Sequence, residues 1–150
     1  MNTAPASSPA SQTFAGGYGM SITLVEAKTC AAAAAAHAAD IGVPMVIAVT
    51  DAAGQLLYLE RMDGAIAAGI QVAQDKARCA ALYKRATKVF EDALLSPNGQ
   101  RFMSLAGVVP VEGGVILIRN GQLVGAIGVS GGTGHQDGQV AQAGASALAA

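Results

Sequence analysis

Val115-Ile-Leu-Ile-Arg119-Asn120-Gly121-Gln122-Leu-Val-Gly125-Ala-Ile-Gly128-Val-Ser130-Gly-Gly-Thr133-Gly134 is the stretch that decides the fold. Asn-Gly supplies the two central residues that a tight hairpin turn prefers, so Val115–Arg119 and Gln122–Val129 read as antiparallel neighbours. Past the second strand, Thr133 and Gln136 have capping-box spacing, which starts a helix at Gly134. Working upstream, Ser96-Pro-Asn-Gly99 is a loop, and a helix is expected from about Ile66 to Glu91. Val43–Val49 is apolar on both faces, as a covered central strand would be. Asp51-Ala-Ala-Gly54 turns it into a second strand over Gln55–Met62, with Gly54 supplying a positive φ. The first helix opens on a Thr23/Glu26 capping box and stops near Gly42. Its inward face carries Leu24, Ala27, Ala31, Ala34, Ala38 and Ile41. Helices and antiparallel strands are segregated, so the class is α+β, with about five strands between helical layers.

The chain has 150 residues, the size of one domain, expected over 21–150 behind an Ala/Ser/Pro/Gly-rich tail over 1–20. Phe14 and Tyr18 in that tail are candidates to dock on a neighbouring subunit. The apolar share is 52%, and although 33 of those residues are alanine, the remainder suffices for a core. A net charge of −1 gives no footprint for nucleic acid or an anionic membrane. Two cysteines, Cys30 and Cys79, exclude a disulfide scaffold and a cysteine-rich zinc module. No apolar run is long enough to span a bilayer, and no export signal is visible, so a cytoplasmic location is expected.

Charges on faces that should be apolar are the next signal. Lys76 falls on the stripe of Val72, Cys79 and Tyr83, and Asp137 shares a face with Val140, Ala141, Gly144 and Leu148. Each has a plain structural reading: a snorkelling lysine stem, and a first-turn carboxylate at a helix dipole. Together they read as a pair, or as an acid and base facing one cavity. Ser130-Gly131-Gly132-Thr133 runs from a strand into a helix N-terminus, where free amides can cradle a carboxylate or phosphate, or simply make a tight connection. Gly113-Gly114 offers a second place for backbone to approach a ligand. Arg61 and Asp63 close the second strand as an exposed rim pair or as a carboxylate clamp. His37 and His135 are too few for a zinc site but each meets the looser demand of a haem axial ligand.

These residues resemble the GlcG/HbpS-like haem-binding family, which includes the C-terminal domain of PduO-type proteins. The likeness rests on Val49-Thr-Asp51-Ala-Ala-Gly54, Arg61-Met-Asp63-Gly64, Asp75-Lys76-Ala77-Arg78 with Ala80, Gly113-Gly114, Asn120-Gly121 and Gly125-Ala-Ile-Gly128-Val-Ser130-Gly131-Gly132 with Asp137. It spans about Ser21 to Ala147. The family usually has a proline soon after its paired glycines, where this chain has Val115-Ile116. The resemblance implies a profilin-like, three-layer domain and homo-oligomers: dimers, tetramers or octamers. It makes haem the candidate cofactor, with His37 the leading axial ligand, and the sequence calls for no other cofactor. Some members accompany catabolic operons. Three readings follow. One is a ligand-binding protein that takes a small molecule or carboxylate through Arg61, Asp63, Gly113, Gly114 and Ser130–Thr133. Another is a small isomerase, tautomerase or lyase using Lys76 and Asp137 on a carboxylated metabolite. The third is an accessory module in which Lys76 and Asp137 are a buried ion pair fixing an interface.

Overall fold

A computed structural model describes residues 12–149. Helix α1 (Leu24–Asp40) is followed by β1 (Val46–Asp51), β2 (Leu56–Arg61), α2 (Gly69–Tyr83) and α3 (Thr87–Leu94). A 3-10 turn (Gly99–Ser104), β3 (Gly114–Arg119), β4 (Gln122–Ser130) and α4 (Gly134–Ser146) complete the chain. The sheet is antiparallel in the order β2-β1-β4-β3.

Alternation along the strands sorts the core into two layers. Ile47, Val49, Ile127 and Val129 pack with the alanine face of α1 and with Val140 and Ala141 of α4. The intervening residues face α2: Val46 and Ala48 pack with Ala73, and Ala126 packs with Ala77, Ala80 and Ala81. Small side chains on β4 and α2 bring that helix close to the sheet, the condition for a three-layer domain with so few large residues. The expected α+β, three-layer architecture is therefore present, with α1 and α4 on one face and α2 on the other.

The sheet has four strands among the described residues, not about five. The Gly17–Ile22 segment takes the place beside the start of β4 that β1 leaves open. Leu123 N donates to Gly17 O, Gly19 N to Leu123 O and Ile22 N to Val124 O, but only one bridge forms, Tyr18 to Leu123. Residues 1–11 of the expected tail lie outside the described residues. Phe14 and Tyr18 dock on their own α2 instead of being left for a neighbour. Phe14 N donates to Lys84 O at 2.7 Å and the Tyr18 hydroxyl to Ala81 O at 2.8 Å, satisfying carbonyls at the end of that helix.

The single helix expected over Ile66–Glu91 is two. Lys84 adopts φ 54°, a left-handed stop, and Ala86 is extended before α3. Phe90 therefore belongs to α3 and stacks edge-on with Tyr83 across the break, 5.4 Å between centroids.

Both capping boxes form. Thr23 and Glu26 satisfy one another's backbone N–H, as do Thr133 and Gln136. Thr133→Ala is expected to lower stability by about 1 kcal/mol in urea denaturation, because the Gln136 amide in the first turn of α4 loses the hydroxyl that accepts it.

Candidate functional site

Lys76 and Asp137 touch. The ammonium donates to Asp137 Oδ2 at 2.9 Å and to Val129 O at 3.0 Å. Their side chains are 2% and 4% exposed. Asp137 Oδ1 accepts the Gly132 N–H at 2.8 Å. α2 and α4 lie on opposite faces of the sheet, so the pair ties the two outer layers through the end of β4. Val129 gives its N–H to Gly113 O and its carbonyl to Lys76.

Gly113 and Gly114 make this closure feasible. A Cβ at Gly113 would lie 2.8 Å from Lys76 Nζ and 3.0 Å from Asp137 Cβ. One at Gly114 would lie 2.4 Å from Lys76 O, and the Gly114 amide donates to Thr87 Oγ1 at 2.9 Å. The backbone here lies on the ammonium and on α2 with no room for side chains.

Burial pushes the Asp137 carboxyl up from its ordinary value, against the lowering pull of the Lys76 ammonium and of the Gly132 and Gly131 amides. The glycine-rich turn thus cradles an anion, and the anion is the protein's own carboxylate. Ser130 is buried at the end of β4, and Thr133 is committed to the cap of α4.

The other expected residues lie elsewhere. Arg61 is exposed, and its Nε and Nη2 donate to Ala65 O at 3.2 and 2.9 Å, within its own turn. Asp63 is exposed beside it and makes no ion pair with Arg61. His37 is half-buried in the last turn of α1.

His135, which the sequence places opposite the inward face of α4, is exposed, and its imidazole makes no hydrogen bond or ion pair among the described residues. It lines a cleft of about 300 Å³ together with Gly113, Gly114, Val115, Gly138 and Lys88. Of the expected ligand glycines, Gly113 and Gly114 are brought to a histidine, and that histidine is His135; Gly131 and Gly132 do not line this cleft. No sequence signal places His135 at this cleft, since its position there depends on where β3 begins relative to α4. Among the described residues no group of three or more His, Cys, Asp or Glu is arranged to hold a bare metal ion, and no helix is long and apolar enough to cross a membrane.

A family model described as "Haem degrading protein HbpS-like" matches residues 22–146. A relative from Citrobacter freundii, described as "Uncharacterized 15.0 kDa protein in dhaT-dhaS intergenic region", is 38% identical over 119 residues, 77% of this chain and 84% of its own. The crystal structure of HbpS superposes with a TM-score of 0.81 at 30% identity, covering 88% of this chain and 93% of that one. A PduOC:heme complex superposes with a TM-score of 0.77 at 30% identity, covering 86% of this chain and 96% of that one.

Proposed function

The chain belongs to the HbpS-like family, and from that premise we propose that it binds haem in the cleft between Gly113–Val115 and the first turns of α4. The observation that carries the reading is the free His135 imidazole on a cleft floored by glycine backbone. The donor set fits the group. An imidazole nitrogen is a standard axial ligand, and the glycine backbone at 113 and 114 gives a flat ring a surface to lie on, with Glu112 and Gln139 on the rim. Lys88, held to Asp92 by an exposed pair at 3.0 Å, is the cation nearest to hand for a propionate, and so weak a pair exchanges easily. Bound haem would supply an iron centre for ligand binding or redox chemistry; the protein's part is to seat and orient it.

At about 300 Å³ the cleft lies at the low end of ligand sites, roughly 300–1,000 Å³. A ring seated there leaves an edge outside one chain, which favours a homo-oligomer in which a second copy covers it.

The alternative, acid–base catalysis by Lys76 and Asp137, is less well supported. A substrate atom would have to reach a pair whose side chains are 2% and 4% exposed and already satisfied by Val129 O and Gly132 N. We read the pair as a structural tie.

Haemin titration of the purified protein tests the proposal. The expected result is a saturable, sharp Soret band that His135→Ala shifts or abolishes and His37→Ala leaves unchanged. A broad, non-saturating spectrum common to all three proteins would overturn haem as the ligand. A band sensitive to His37→Ala alone would move the site to α1.

A further inference from the structure

A second cavity of about 350 Å³ lies between the β1–β2 turn and α2, lined by Gly54, Gln55, Gln71, Gln74, Asp75 and Arg78 among others. At about 100° per residue, positions 71, 74, 75 and 78 share the side of α2 turned away from Lys76. The haem cleft proposed above uses none of these residues.

The turn beneath the cavity is rigidly built. Asp51 Oδ1 accepts the N–H groups of Ala53 and Gln55, both at 2.9 Å, and Gly54 takes φ +79°. A Cβ at Gly54 would lie 3.2 Å from Arg78 Cγ, so the arginine stem lies directly on the turn.

Its charges are arranged in an unusual way. Asp75 and Arg78 stand three apart on a helix, the spacing at which opposite charges ordinarily pair. Asp75 Oδ1 instead takes the Gln71 side-chain amide at 2.9 Å, and the Arg78 guanidinium has no hydrogen bond or ion pair among the described residues. Gln74 Nε2 is used on Ile70 O, which leaves its carbonyl oxygen as a free acceptor. The cavity therefore presents an unpaired planar cation at one point and acceptors at others.

We infer that this groove binds a small carboxylate that also carries a hydrogen-bond donor, a hydroxy acid or an amino acid. Arg78 takes the carboxylate through its fork of N–H groups. Asp75 and the glutamine carbonyls take the hydroxyl or ammonium. A phosphate, with its greater negative charge, is disfavoured by Asp75 on the same wall.

Side-chain resonances of isotopically labelled protein, followed during titration, test this. The probes are glycerate, L-serine, acetate and inorganic phosphate. Glycerate or L-serine should saturably shift the Arg78 Nε–H and the Gln55, Gln71 and Gln74 amides. Acetate, which lacks the donor, should bind at least about tenfold more weakly, and phosphate should not saturate. Whichever of glycerate and L-serine binds more tightly identifies the donor as hydroxyl or ammonium.

Arg78→Met should abolish the shifts with the remaining spectrum unchanged, since the residue is exposed. Asp75→Asn should retain acetate binding and reduce the preference over acetate. Equal binding of all four anions, no binding of any, or shifts that survive Arg78→Met would overturn the assignment. None of these outcomes depends on haemin, so the two sites stand or fall separately.

Discussion

Lys76→Met is expected to cost about 3–5 kcal/mol of folding stability at neutral pH, read as the loss in urea or thermal denaturation. Methionine keeps the length and apolar stem of lysine, so the packing of that stem against the end of β4 and Gly113 is largely preserved. What disappears is the charge. Asp137 would remain 3% exposed with its carboxylate held only by backbone amides, and Val129 O would lose its donor. Asp137→Asn on top of Lys76→Met should recover most of the loss. A neutral amide carries no charge to desolvate, and its oxygen still accepts the Gly132 N–H. A Lys76→Met protein as stable as the parent would overturn the structural-tie reading and restore the case for a functional charge at position 76.

The pH dependence of that variant follows from the same geometry. Burial already raises the Asp137 carboxyl above its ordinary 3.8, and Lys76 is the foremost influence holding it down. Without the ammonium the native value climbs further. Below the unfolded value both states are protonated and no charge is buried. Between the unfolded and native values the unfolded chain has released its proton while the native state keeps it. Stability then falls with rising pH by up to about 1.4 kcal/mol per pH unit. The deficit of Lys76→Met against the parent should therefore be largest at neutral pH and shrink toward pH 4.

Lys76 and Asp137 were readable in the sequence because a charge interrupting an apolar period is visible without any structure, and the fold joins them. The same logic located both capping boxes and the Asn120-Gly121 hairpin, which depend only on residues a few positions apart. What escaped depends on distant residues or on backbone states without a residue signature. The stop at Lys84 is left-handed at a non-glycine, so nothing in the sequence separates α2 from α3. The sequence leaves Arg61 either an exposed rim pair with Asp63 or a carboxylate clamp, and a carbonyl four residues on in its own turn takes the guanidinium. The Gly131-Gly132 turn reads either as an anion cradle or as a tight connection, and no local pattern tells that its Gly132 amide faces Asp137. Asp75 and Arg78 enter the sequence reading only through the family-like motif around Lys76, because their failure to pair is a fact of three-dimensional placement alone.

Gly128→Ala should be among the most damaging single-methyl additions at the described glycines. A Cβ there would lie 2.0 Å from Ala73 O and 2.6 Å from Ala77 N, both in the backbone of α2. A side chain could rotate aside; a helix backbone has to move as a body. Moving α2 outward opens the alanine contacts at Ala73, Ala77 and Ala80 and withdraws Lys76 from Val129 O and Asp137. The expected cost is about 3 kcal/mol or more, at the top of the range for overpacking. It should appear as a lowered urea midpoint or as failure to accumulate folded protein.

Two other glycines calibrate the result. Gly17→Ala meets nothing within 4 Å and should stay within about 0.5 kcal/mol of the parent. Gly42→Ala is equally uncrowded but sits at φ +72°, so it should cost about 1–2 kcal/mol from backbone conformation alone. Because α2 carries Lys76, the Gly128→Ala and Lys76→Met losses should also fall short of additive in the double variant, the helix having already left its partner. Additive losses would mean that the ion pair holds α4 independently of how closely α2 approaches β4.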